Sequence, residues 1–343
     1  MDKTKLETLR KRYAGAKLRD VKDEAFAKVA AQAMLSDDRR PWPFEGAATL
    51  LDAPLRPHAL AENFRDLDVA LIGVPMDFGV TNRSGARLGP RAVRDVERIG
   101  PYEHVLRSVP GSSLRIADVG DVPMSSRYDL TACHRDIEAF YAKVKAAGVI
   151  PLTAGGDHSI TYPILRALGA AEPVGLVHID AHCDTAGEFE ATKFNHAQPF
   201  RQAVLDGVLD PERTIQIGIR GAAEWLWEFS YESGMTVIHA EEIDTMGIPA
   251  VIARAREIVG KGPLYISFDV DSLDPAFAPG TGTPEVGGLT PREVLAILRG
   301  LAGLKVIGGD VVEVAPQYDA STVTAQCAAQ VLFTQLCLVA LSR

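Results

Sequence analysis

Short apolar runs punctuate this chain at residues 69–74, 114–119, 149–153, 174–179, 214–219, 236–239, 264–268 and 306–312. Each has the look of a buried strand. Between several of them lie stretches of helical period, such as 131–147 and 290–301. The second of these opens with Thr290-Pro291, a capping residue followed by proline in the first turn. Regular alternation of this kind predicts one mostly parallel sheet covered by helices on both faces, a three-layer α/β/α domain. No linker or repeat interrupts it, so residues 66–343 read as one domain. Residues 1–65 read as a leader: one amphipathic helical pattern, then two proline-rich pieces, Arg40-Pro41-Trp42-Pro43-Phe44 and Ala53-Pro54-Leu55-Arg56-Pro57. Apolar anchors with few core signals suit packing on a neighbouring subunit.

Chemistry concentrates where the runs end. After 174–179 come Asp180, His182 and Asp184; within and after 264–268 come Asp269 and Asp271. Strand spacing puts residues i, i+2 and i+4 on one face, so both segments aim their donors the same way. Four carboxylates and an imidazole in an apolar cleft would repel one another strongly unless cations lay between them. A third segment, Ala154-Gly155-Gly156-Asp157-His158, follows a strand and precedes a helical pattern. It brings His158 to a strand's carboxyl end, where open α/β sheets keep their ligands. Oxygen and nitrogen donors without thiolate suit Mn²⁺, Co²⁺, Ni²⁺ or Fe²⁺ better than a structural zinc. The surplus of carboxylate suggests two divalent ions.

Composition narrows the partners. The chain has 343 residues, 47% hydrophobic and 24% charged, which is ordinary for a globular protein. A net charge of −9 argues against nucleic acid or an anionic membrane surface. No stretch approaches 18 uncharged apolar residues, so no membrane span is expected, and the charged amino terminus lacks a signal-peptide core. Cys133, Cys183, Cys327 and Cys337 show no paired spacing. The expected location is cytoplasmic.

Taken together, AGGDHSI, HIDAHCDT and SFDVDSLDPAFAPGTGTPEVGGLTPRE resemble the signature segments of the ureohydrolase family, which includes arginase, agmatinase, guanidinobutyrase, guanidinopropionase and formiminoglutamase. IGVPMDFGVTNRSGARLGPRAVR and GGDVVEVAPQYD are similar to its amino- and carboxyl-terminal segments, and the agmatinase-like branch fits better than arginase proper. The resemblance implies a three-layer fold, a trimer or hexamer, and hydrolysis of a guanidino group to urea and an amine at a two-metal centre. It implies one ion on His158, Asp180, Asp184 and Asp269, and another on Asp180, His182, Asp269 and Asp271, with Mn²⁺ first and Ni²⁺ second in expectation. It also assigns His196 as a proton shuttle and Glu293 as the carboxylate that grips the guanidinium, with Asn195 beside them.

Other residues bear on the substrate. The loop reads His196-Ala197-Gln198, where the family usually has His-Gly; Ala stiffens it and Gln198 is a candidate contact to the substrate's tail. Trp225 and Trp227 are either core or cleft; in the cleft they would suit an apolar or N-alkylated cationic tail. Candidate substrates are a guanidino acid, agmatine, or a biguanide such as metformin, the last including a catalytic subunit of a mixed oligomer. A deacetylase-like hydrolase with a single zinc is the competing class. His178 reads as a buried supporting residue, Cys183 as packed, and Arg87 and Arg91 as either salt-bridged or facing an acidic substrate.

Overall fold

The structure is a computed structural model that describes residues 2–343 except 18–19, 34–41, 43, 98, 189 and 222. The strands are β1 (Val69–Gly73), β2 (Ile116–Asp121), β3 (Ile150–Ala154), β4 (Val174–Ile179), β5 (Leu209–Ile219), β6 (Thr236–His239), β7 (Leu264–Asp269) and β8 (Val306–Val312). They form one sheet in the order β2-β1-β3-β8-β7-β4-β5-β6, with every pairing parallel. β1, β4 and β7 are buried along their whole length, as strands covered on both faces must be. Each fully buried aliphatic side chain there contributes roughly 1.5–3 kcal/mol.

The eight apolar runs are the eight strands, with shifted ends. β5 starts earlier than its run because Leu209 pairs with Val174 before the register breaks and resumes at Leu176 with Thr214. The polar residues 210–213 accommodate that bulge and hide the strand's start in the sequence.

The helices are α1 (Lys3–Tyr13), α2 (Glu24–Ala33), α3 (Gly89–Arg94), α4 (Leu130–Ala146), α5 (Thr161–Gly169), α6 (Pro199–Leu205), α7 (Glu228–Ser233), α8 (Ala240–Met246), α9 (Ile248–Val259), α10 (Pro291–Gly300) and α11 (Val323–Leu341). Side chains of α4, α5 and α6 pack one face of the sheet around Ile137, Tyr141, Ile164 and Phe200. Those of α9, α10 and α11 pack the other around Val251, Ile297 and Leu332. α11 carries no charged residue and, among the described residues, is the helix long and apolar enough to cross a membrane. The expectation that no such stretch exists is therefore corrected. Here α11 is mostly buried against the sheet, which is why it can be apolar all round.

The leader divides. α1 buries nothing, whereas Leu50, Ala59 and Phe64 are core residues. Leu50 N donates to Asp118 Oδ2 at 2.9 Å, and Arg56 N to Asp118 O at 2.8 Å, which ties the chain to β2. The stretch from residue 49 onward thus belongs to the folded domain. Arg40, Pro41 and Pro43 of the first proline-rich piece lie outside the described residues.

Consecutive strands β3 and β4 are separated in the sheet by β8 and β7. β4 leads on to β5 and β7 leads on to β8, in opposite directions across the sheet, so the carboxyl ends of these neighbouring strands open a crevice between them.

Candidate metal centre

His158 follows β3, Asp180 to Asp184 follow β4, and Asp269 ends β7. The turn after β3 is tight: a Cβ on Gly156 would lie 1.7 Å from Met76 O, so only glycine lets the two backbones touch. His158 Nδ1 lies 2.9 Å from Asp184 Oδ2, 3.1 Å from Asp180 Oδ2 and 3.3 Å from Asp269 Oδ2. His182 Nδ1 lies 3.2 Å from Asp271 Oδ2 and 3.5 Å from Asp180 Oδ1. The two oxygens of Asp180 therefore face the two histidines separately, and two overlapping donor clusters result.

Turns, not strand alternation, bring these groups together. β4 has ended before Asp180, Asp184 sits at φ 52, and Asp271 lies in a 3₁₀ turn whose N–H donates to Asp269 Oδ1 at 2.8 Å. Left-handed backbone at an aspartate is a strained arrangement that accompanies function.

Supporting hydrogen bonds fix the imidazoles. Ser267 Oγ donates to Asp310 Oδ1 at 2.7 Å, so His158 Nε2 donates to Ser267 Oγ at 2.8 Å. In the neutral ring that leaves His158 Nδ1 without a proton, and in the buried interior this atom has no hydrogen-bond partner. A bare nitrogen facing three carboxylate oxygens is repelled unless a cation lies between, which is the arrangement of a metal ligand with its outer partner in place. His178 behaves as expected. Gln216 donates to its Nδ1 at 3.0 Å, and its Nε2 donates to Asp180 Oδ2 at 2.6 Å, orienting that carboxylate.

The electrostatics agree. Burial pushes Asp269 well above the ordinary carboxylate range, reinforced by Asp271 and Asp180. Burial also raises Asp271, against the pull of His182. For His158, burial works downward but the carboxylates of Asp180, Asp184 and Asp269 outweigh it and lift the imidazole well above its usual range. A cluster that must hold protons to stay neutral can hold divalent cations instead. The donor set fits a pair of ions.

Three residues expected to contact substrate are engaged by neighbouring groups in this structure. Glu293 closes a capping box at the start of α10, its Oε2 accepting from Thr290 N and Thr290 Oγ1, both at 2.8 Å. Its carboxylate serves the helix. Glu293→Ala is expected to lower stability by about 1 kcal/mol while leaving turnover unchanged; a large loss of turnover would restore it to the site. Gln198 is fully buried and donates to Gly187 O, so it pins its own loop instead of meeting a substrate tail. Asn195 is likewise turned inward, its Oδ1 accepting from Ala197 N at 2.9 Å.

The carboxylate at the site is Glu313, just beyond β8. It is buried at φ 64, and its Oε1 accepts from His158 N at 2.8 Å and from His196 Nδ1 at 2.9 Å. Its Oε2 is buried without a partner. Sequence reasoning passed over this residue, although it is a carboxylate at the end of an apolar strand like the others. His196 Nε2 faces Thr81, with the hydroxyl at 2.7 Å and the main-chain N–H at 3.1 Å.

The remaining candidates sit as follows. Trp225 is 72% exposed and Trp227 packs its ring 4.6 Å from His239, so neither is core. Their turn is held beside the ligands by Thr185 Oγ1, which donates to Leu226 O at 3.3 Å. Arg87 pairs with buried Asp77. Burial pushes the Cys183 thiol up to about 12, which rules out a thiolate nucleophile near neutral pH.

A sheet of this order with acidic and histidine donors at its carboxyl edge defines a hydrolase of the arginase type. The chain matches the arginase family over residues 67–337. It is 50% identical over 278 residues to guanidinopropionase of Pseudomonas aeruginosa, covering 80% of this chain and 87% of that one. It is 45% identical over 298 residues to mitochondrial agmatinase of Gallus gallus, covering 86% of each. Its fold is similar to proclavaminate amidino hydrolase from Streptomyces clavuligerus at a TM-score of 0.83, with 34% identity over 88% of this chain and 100% of that one. The chain belongs to the arginase family and is a hydrolase acting on C–N bonds.

Proposed function

We propose that this enzyme hydrolyses the guanidino group of a small guanidine compound to urea and an amine. A pair of divalent ions, Mn²⁺ first and Ni²⁺ second by likeness to the family, would be held by His158, Asp180, Asp184 and Asp269 and by Asp180, His182, Asp269 and Asp271. Bound there, the ions supply an activated water and neutralise the carboxylates. The observation that carries the reading is the unpartnered Oε2 of buried Glu313 beside this cluster. A guanidinium offers the donors that oxygen lacks, and a carboxylate matches its planar fork with charge-assisted bonds. Glu313 takes the part expected of Glu293.

His196 delivers the proton to the leaving amine while the water's oxygen becomes the urea carbonyl. Burial lowers the His196 pKa, Glu313 raises it by more, and the balance lies at about 9. The Thr81 N–H aimed at Nε2 favours the neutral ring, so the proton that titrates is the one at Nε2, shared with Thr81 Oγ1. The acid form exists below about 9, and turnover should fall as pH rises through that value. His196→Ala should lower kcat about a hundredfold or more, erase that alkaline limb and leave metal content intact. A variant that keeps the limb, or loses metal, contradicts the role.

The likeness to guanidinopropionase supports a guanidino acid as substrate. The exposed Trp225 on a turn tied to Thr185 supports a second reading, an N-alkylated guanidine or biguanide such as metformin. Urea release measured on guanidinopropionate, guanidinobutyrate, agmatine and metformin separates these; no release from any of them overturns the proposal. We infer a cytoplasmic enzyme that assembles as a trimer or hexamer, alone or with a related subunit, through apolar leader residues such as Trp42 and Phe44. Their exposure supports this reading.

A further inference from the structure

Arg220 stands just beyond β5 and is 5% exposed, yet among the described residues its guanidinium forms no ion pair with a carboxylate. Its donors go to main-chain carbonyls. Nε donates to Val286 O at 3.1 Å, and Nη1 to Gly218 O at 3.1 Å and Ser272 O at 3.2 Å. Nη2 donates to Asp271 O and Glu285 O, each at 2.7 Å, and more weakly to Leu273 O at 3.4 Å. The backbone of Arg220 itself donates to Ala181 O at 2.8 Å. One residue, through its main chain and side chain together, thus ties the segment after β4 to the end of β5, the segment after β7 and the 285–286 stretch. The fit is close: a Cβ on Gly288 would lie 2.5 Å from Nη2.

The two residues bonded most closely to Nη2 carry carboxylates that flank His182. Asp271 Oδ2 is 3.2 Å from Nδ1 on one side, and Glu285 Oε1 is 3.8 Å from Nε2 on the other. A carboxylate facing the far nitrogen of a ligating imidazole, here at ion-pair range, favours the tautomer that carries its proton there and leaves the near nitrogen bare for an ion. We propose that Arg220 is a positioning residue for the second ion, setting the spacing of Asp271 and Glu285 about His182. The inference rests on the two-ion reading. The first ion's donors, His158 and Asp184, are held by contacts that do not involve Arg220.

A buried cation so near Asp271 could instead weaken the second site by repulsion, and the two effects have opposite signs on removal. Mn²⁺ titration of metal-free protein by calorimetry distinguishes them. In folded Arg220→Met, judged by a cooperative melt, the second-ion Kd should rise about ten- to hundredfold with the first nearly unchanged. Glu285→Gln, which keeps every carbonyl that Arg220 uses, should shift the same site in the same direction. Equal weakening of both ions, or a second ion bound as tightly or more tightly, would overturn the inference. If Arg220→Met does not fold, Arg220→Lys, which keeps the charge but not the planar fork, is judged by the same criteria. A wild-type protein that binds fewer than two ions would remove the two-ion reading itself, an outcome visible before any variant is titrated.

Discussion

In Asp180→Ala, both ions and about a thousandfold or more of turnover are expected to be lost. Among the described residues, Asp180 is the one carboxylate whose two oxygens face different ligand histidines, Oδ2 toward His158 at 3.1 Å and Oδ1 toward His182 at 3.5 Å. It also accepts from His178 at 2.6 Å and from His182 N at 2.6 Å, so its place is fixed from behind. Its removal leaves His158 with Asp184 and Asp269, and His182 with Asp269 and Asp271, two incomplete sets. The fold should survive, because β4 has ended before residue 180 and the strand's pairing to β5 and β7 does not use its side chain. Elemental analysis of the purified variant checks the first part and urea release the second. A variant that keeps two ions and a tenth of its turnover would show that Asp180 does not bridge.

Glu313→Gln is expected to raise KM about ten- to hundredfold, the equivalent of roughly 1.5–3 kcal/mol, as a charge-assisted contact to the guanidinium becomes a neutral one. Turnover should fall as well. Oε1 of Glu313 accepts from both His158 N and His196 Nδ1, and no orientation of an amide can satisfy these two donors and also offer an acceptor to the substrate. Metal content should stay at the wild-type level. Loss of metal with unchanged KM would mean that Glu313 supports the ligands instead of gripping substrate. The paired expectation for Glu293, whose carboxylate lies in a capping box, is unchanged kinetics.

The contrast between these two glutamates shows what was legible in the sequence. Thr290-Pro291-Arg292-Glu293 is the pattern of a capped helix start, and that local reading turned out to describe the residue. Glu313 was hidden because its reach depends on a left-handed backbone at φ 64, which no periodicity announces. Six metal-ligand candidates were legible because acids and histidines beyond apolar strands have few other uses. Their convergence was less so: strand alternation singled out these residues, whereas turns at Asp184 and Asp271 bring them together. Asn195 and Gln198 looked like substrate contacts, but both amides are turned inward and bonded to the backbone of their own loop. The burial of Leu50, Ala59 and Phe64 likewise had no pattern to give it away, since the segment is irregular and pairs through single main-chain bonds.

The central claim is that six side chains on this chain hold two divalent ions. Crystals grown with Mn²⁺ and measured at its absorption edge test it directly. The account predicts two anomalous peaks per chain. One lies among His158, Asp180, Asp184 and Asp269, the other among Asp180, His182, Asp269 and Asp271. A single peak, or none, from protein that releases urea at full rate would contradict it.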